Sequence, residues 1–97
     1  MLTVMTETTV KAGREADWDR AYHERAADAR NQAGWVDLHL LVPTDDRRKR
    51  VVVGTWQDRA AWERWHETAT FRSTKQQLDD ATEVHGEDRW YEVVESA

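Results

Sequence analysis

The chain has 97 residues, a net charge of −5 and no cysteine, which points to one domain over residues 1–97 and excludes disulfides and thiolate-bound metals. Leu, Ile, Val and Phe make up only about 16% of it, low enough to raise the question of disorder, but the charge is modest and six Trp supply large buried areas. The acidic balance argues against nucleic-acid binding; no stretch approaches a membrane span and no basic leader precedes an apolar run, so a cytoplasmic protein is expected.

The first segment alternates. Leu2, Val4, Thr6, Thr8 and Val10 share one face and Thr3, Met5, Glu7 and Thr9 the other, which predicts a strand. Trp18, Ala21, Tyr22, Ala26, Ala29 and Ala33 then recur at spacings of three and four, predicting an amphipathic helix of about five turns with Gly34 placed to cap it. A second strand runs from Trp35 to Val42, with Val36, Leu38, Leu40 and Val42 on one face and Trp35, Asp37, His39 and Leu41 on the other. Pro43 to Arg50 reads as a turn whose charges, Asp45, Asp46, Arg47, Arg48, Lys49 and Arg50, are solvated. The third strand is Arg50 to Trp56, and its run of three Val suits a strand covered on both faces. Asp58 can cap a helix carrying Ala61, Trp62 and Trp65. Thr68 to Thr70 interrupts it, and a short third helix places Phe71, Thr74, Lys75 and Leu78 on one face. After a polar loop containing Gly86, a last strand is expected from about Glu87 to Val94. The order β-α-β-β-α-β is the ferredoxin-like arrangement, an α+β fold with an antiparallel sheet and helices on one face. The core is thin for a monomer, so a homodimer that covers the other sheet face is expected.

Several side chains could carry chemistry. Lys75 follows Phe71 by four and precedes Leu78 by three, on an apolar stripe. It either snorkels to solvent or stands as a cation in a partly dry pocket, where it would hold a substrate carboxylate or phenolate, or act as a general base once burial disfavours its charge. Thr6 and Thr8 reach a pocket floor if their strand face meets the helices, and Thr6 could then donate to a substrate oxygen; strand propensity explains Thr equally well. Trp62 and Trp65 stand three apart on one helix face and either pack the core or line a pocket for a flat ligand. Tyr22 packs the core or presents its hydroxyl, and His23 is a general base or a flank histidine. The four His do not cluster, and no HxH or HExxH spacing occurs, so a metal site is not expected. A lone axial His could hold haem; His66 is the nearest candidate to Trp65 but lies about 100° around the helix from it.

Gly34-Trp35, the block Val51-Val52-Val53-Gly54-Thr55-Trp56-Gln57-Asp58, Ala61-Trp62, Trp65 and Phe71 together resemble the antibiotic-biosynthesis-monooxygenase family over nearly the whole chain. The resemblance implies a dimeric α/β barrel with a pocket between sheet and helices in each subunit. It also implies one of the family's activities: cofactor-free oxygenation of polycyclic aromatics, or haem degradation. Trp65, nine positions after Trp56, matches a Trp that packs on porphyrin in the haem degraders, and Phe71 fits their pattern. Their first-strand Asn falls on Thr6, however, and their iron-ligating His on Lys75, and an ammonium is a poor iron ligand.

The reading that follows is a small monooxygenase without cofactor or metal, acting on a flat aromatic held by Trp62, Trp65, Phe71 and Tyr22. Lys75, Thr6 and His23 would be its polar groups. Haem binding with altered ligation and a non-catalytic, dimeric ligand-binding protein are the alternatives. An RNA-recognition fold shares the element order, but the third strand lacks the exposed aromatic pair that stacks bases.

Overall fold

A computed structural model describes all 97 residues. Strand β1 (Leu2–Val10) turns inward the face of Leu2, Val4, Thr6, Thr8 and Val10; Val10 is fully buried. Helix α1 (Glu15–Ala29) buries Trp18, Ala21, Tyr22 and Ala29. It is a turn shorter than its periodicity predicts. The backbone N–H groups of Asn31 and Gln32 bond back three residues, closing tight turns instead of α-helical ones. Gly34 therefore lies beyond the helix end. Its positive φ of 87° and its close approach to Ala61 leave no room for a side chain.

Strand β2 (Trp35–Leu41) has a register shift between Trp35 and Asp37. This irregularity overturns the simple alternation: Trp35 joins Leu38 against the helix-side core. Strand β3 (Lys49–Trp56) turns Arg50, Val52, Gly54 and Trp56 inward. Arg50 corrects the expectation of a solvated turn, being only 4% exposed. Its guanidinium forks onto Asp19 of α1 at 2.7 and 3.1 Å and donates to the carbonyls of Arg47 and Lys49. It ties the end of the sheet to the first helix.

Asp58 caps α2 (Arg59–His66) by accepting from the Ala61 N–H at 2.8 Å, as its sequence position predicts. Thr68 caps α3 (Ala69–Ala81), which at 13 residues is longer than expected. The predicted last strand is split. Strands β4 (Thr82–Val84) and β5 (Arg89–Glu92) both pair with the free side of β1, at its two ends. Between them residues 85–88 bulge off the edge, and Gly86 packs so tightly on the backbone of Glu7 that a Cβ would overlap the carbonyl.

The result is a five-stranded antiparallel sheet, β2-β3-β1 with β4 and β5 beyond, and helices on one face. Two apolar clusters fill the space between. One is Val10, Trp18, Ala21, Tyr22, Leu78 and Ala81; the other is Ala29, Trp56, Ala61 and Trp65. No helix is long and apolar enough to cross a membrane.

Candidate functional site

The two clusters do not close against each other. A cavity of about 170 Å³ remains between sheet and helices. Its floor comes from the inward positions of β1 and β3: Val4, Thr6, Thr8, Val52, Gly54 and Trp56. A Cβ on Gly54 would come within 2.9 Å of the Leu38 side chain, so the glycine keeps the floor low. The walls are Tyr22 and Arg25 of α1, Trp62, Trp65 and His66 of α2, and Phe71 and Leu78 of α3. Asp79, His85 and Asp88 complete the lining.

The aromatic walls hold one another in place. Trp56 and Trp65 stack at 5.2 Å, and Trp65 meets Phe71 edge-on at 4.9 Å. Trp62 sits 3.6 Å from the His66 ring and meets Trp90 edge-on. The indole N–H of Trp65 is buried without a hydrogen-bond partner. Burial raises the pKa of Tyr22, opposed by the charge of Arg25, so its phenol stays protonated.

Trp62, Trp65, Phe71, Tyr22 and Thr6 thus converge as the sequence suggests, but the polar chemistry differs. Lys75 is 67% exposed at its side chain and pairs with Asp79 at 2.6 Å, outside the cavity. The buried stripe of α3 runs through Phe71, Thr74, Leu78 and Ala81, and Lys75 stands roughly 80° from its centre. His23 is exposed on α1, on the side away from Trp18, Tyr22 and Ala29. Thr6 does line the cavity, but its hydroxyl donates to Asp88 at 2.6 Å. Its proton is committed, so it offers a ligand only lone pairs.

Two other polar groups line the cavity: His66, which the sequence offered only as a lone haem ligand, and Arg25, which it passed over. His66 closes α2 with Nδ1 2.8 Å from the carbonyl oxygen of Trp62. A carbonyl can only accept, so Nδ1 carries the proton. Burial lowers the pKa of the ring, with the carbonyl bond and Asp88 opposing. The neutral ring therefore leaves the Nε2 lone pair on its edge away from the helix backbone, the arrangement of a general base. Arg25 is the second. It follows Tyr22 by three and precedes Ala29 by four, on the apolar stripe of α1, and that spacing could have revealed it.

The iron ligand that the resemblance implies has no counterpart in this cavity. Lys75, at the position the resemblance gives to the iron ligand, faces solvent. No three His, Asp or Glu side chains converge as metal ligands either.

Comparison with known proteins bears on the same fold. The family model for antibiotic biosynthesis monooxygenases matches residues 1–77. A protein of Nitrosomonas europaea assigned to these monooxygenases superposes with a TM-score of 0.92 at 16% identity, covering 98% of this chain and 100% of that one. SnoaB, a cofactor-independent oxygenase from Streptomyces nogalater, gives 0.85 at 22% identity, covering 98% and 94%. Rv0793 from Mycobacterium tuberculosis gives 0.89 at 10% identity, covering 99% and 97%. At such identities the likeness establishes the fold alone. No curated protein matches the chain in sequence. With the family model matching residues 1–77 and solved structures sharing its fold, the chain belongs to the antibiotic biosynthesis monooxygenase family.

Proposed function

We propose that this protein is a small monooxygenase that oxidises a flat, phenol-like aromatic with molecular oxygen and without a bound cofactor. The observation that carries the reading is His66, a neutral base with its proton pinned on Nδ1, set among Trp62, Trp65 and Phe71. SnoaB, with the same fold, is a cofactor-independent oxygenase.

The chemistry needs little beyond these groups. Nε2 takes the phenol proton and the ring becomes a phenolate. The hydroxyl of Tyr22, which lines the cavity and stays protonated, is a donor for its oxygen. The ring carbon para to that oxygen passes one electron to dioxygen, and the radical pair joins to form a carbon–oxygen bond. The peroxide takes up the proton held by His66, and its O–O bond then breaks as that carbon gives up its hydrogen as a proton. A quinone carbonyl forms, and the departing hydroxide takes up a proton and leaves as water. Each dioxygen thus yields one quinone and one water. The aromatic walls keep bulk water from the anion.

The working unit of this proposal is a homodimer. The outer sheet face carries Met5, Val51, Val53, Leu41 and Tyr91 in neighbouring registers, with Met5, Leu41 and Tyr91 at 36%, 49% and 42% exposure. A second copy packed sheet to sheet would cover them.

Oxygen uptake with quinol-type aromatics such as substituted naphthols tests the proposal. Uptake should match quinone formation one to one. Ligand bound and recovered unchanged under oxygen, across the series, would refute it and leave a non-catalytic binding protein.

A further inference from the structure

Arg25 is a cation with no ion-pair partner in contact. Its Nε donates to the Thr74 hydroxyl at 2.9 Å and one Nη2 hydrogen to the Phe71 carbonyl at 2.9 Å. The guanidinium lies 3.6 Å over the Phe71 ring. Thr74 is fully buried and its own proton goes to helix carbonyls, so its lone pair is held toward Arg25. The guanidinium is fixed from three sides before any ligand arrives. Two of its five N–H donors are used, leaving three.

None of the eight ion pairs of the chain includes Arg25. Asp79 shares the cavity but is committed to Lys75 at 2.6 Å, with His85 at 3.8 Å. Asp88 accepts from Thr6. Desolvation lowers the Arg25 pKa to about 10, with the more distant charge of Asp79 opposing, which still leaves it charged near neutrality. A partly buried cation without an anion is costly to keep, and a rigid, half-used guanidinium fork matches a carboxylate in shape and charge.

We propose that Arg25 is a specificity residue that selects hydroxyaryl carboxylic acids, its free donors taking a substrate carboxylate while the phenol lies toward His66. This rests on the oxygenase reading for the role of the phenol, but the carboxylate seat stands on the geometry of Arg25 alone. The anion is one already ionised in water. A phenolate born during reaction would leave Arg25 uncompensated in the resting complex, whereas a carboxylate neutralises it on binding. The ring is then held by two polar anchors and by stacking, which fixes its orientation toward the base.

The test compares 3-hydroxy-2-naphthoate with 3-hydroxy-2-naphthamide, which share rings and phenol and differ in charge. Binding is measured by titration calorimetry on the intact protein under nitrogen, so that turnover plays no part. The acid should bind at least about tenfold more tightly than the amide. Arg25→Gln should abolish that preference, and Arg25→Lys, which keeps the charge but not the fork, should retain part of it. Equal binding of acid and amide by the unmodified protein overturns the inference without any variant. So does failure of both to bind into the millimolar range, or an acid preference that survives in folded Arg25→Gln. The two readings fail separately. Arg25-dependent acid binding without oxygen uptake removes the oxygenase; uptake with neutral quinols, together with equal binding of acid and amide, removes the carboxylate seat.

Discussion

Replacing His66 by Gln isolates its lone pair from its packing. The amide of Gln can still donate to the Trp62 carbonyl, as Nδ1 does at 2.8 Å, but has no basic nitrogen. The ring contacts with Trp62 at 3.6 Å and Phe71 at 4.0 Å are lost, which costs about 1 kcal/mol of stability and leaves the fold intact. A positioned base contributes about 10²- to 10⁴-fold, so kcat/KM should fall at least about 100-fold, equivalent to about 2.7 kcal/mol of transition-state stabilisation. The pH profile carries a sharper signature. Only neutral His66 is a base, and burial lowers its pKa below the ordinary 6.5. The plateau of kcat/KM should therefore extend below pH 6.5 before activity falls in acid, and His66→Gln should lack that limb. Stability follows the same sign: the unfolded chain takes the proton more readily, so stability is lost as pH falls from 6.5 through the folded pKa. Initial rates of oxygen uptake across a pH series, with thermal melts of both proteins, provide the assay. A folded His66→Gln protein that keeps kcat/KM within about threefold, or keeps the acid limb, refutes the assignment.

Lys75→Ala should leave oxygen uptake unchanged and shift stability by less than about 0.5 kcal/mol, because it removes an exposed i,i+4 pair; a large loss of activity would return Lys75 to the site. Arg50→Ala should destabilise by about 2 kcal/mol, since it orphans two strand-end carbonyls and a bidentate pair whose Asp19 side is already half in solvent. In a domain of this size that is a drop of roughly 10 °C in Tm by calorimetry, and a drop under about 3 °C would contradict the packing argument. Val53→Arg places a charge on the outer sheet face, opposite Met5 and His39. Light scattering should show two chains for the parent protein and one 11.4 kDa chain for the variant; a parent that runs as a single chain refutes the dimer.

The cavity is built from local irregularities. The bulge at residues 85–88 brings Asp88 to Thr6, the shift in β2 turns Trp35 inward, and the missing Cβ of Gly54 leaves depth beside Trp56. Each departs from regular pairing where the sheet meets the site, so functional geometry and strand periodicity conflict there. His66 shows the same conflict on a helix. It lies about 100° from Trp65, and periodicity alone puts it off the cavity, yet the break at Thr68 turns Phe71 back against its ring.

Period-two alternation and the 3.6-residue stripes were enough to determine the first three strands and the three helices, the inward face of β1, the Asp58 cap and the apolar helix faces of Tyr22, Trp62, Trp65 and Phe71, though not the split of the last strand, because each depends on neighbours a few positions away. What only the tertiary structure decided is which polar groups meet inside. Lys75 and Arg25 both lie at helical spacing from apolar partners. One points to solvent and the other is held by Thr74 and Phe71, 49 and 46 residues away. Thr6 reads as a free donor until Asp88, 82 residues on, claims its proton. Hydrogen bonds between residues so far apart depend on how helices settle on the sheet, and no local period encodes that.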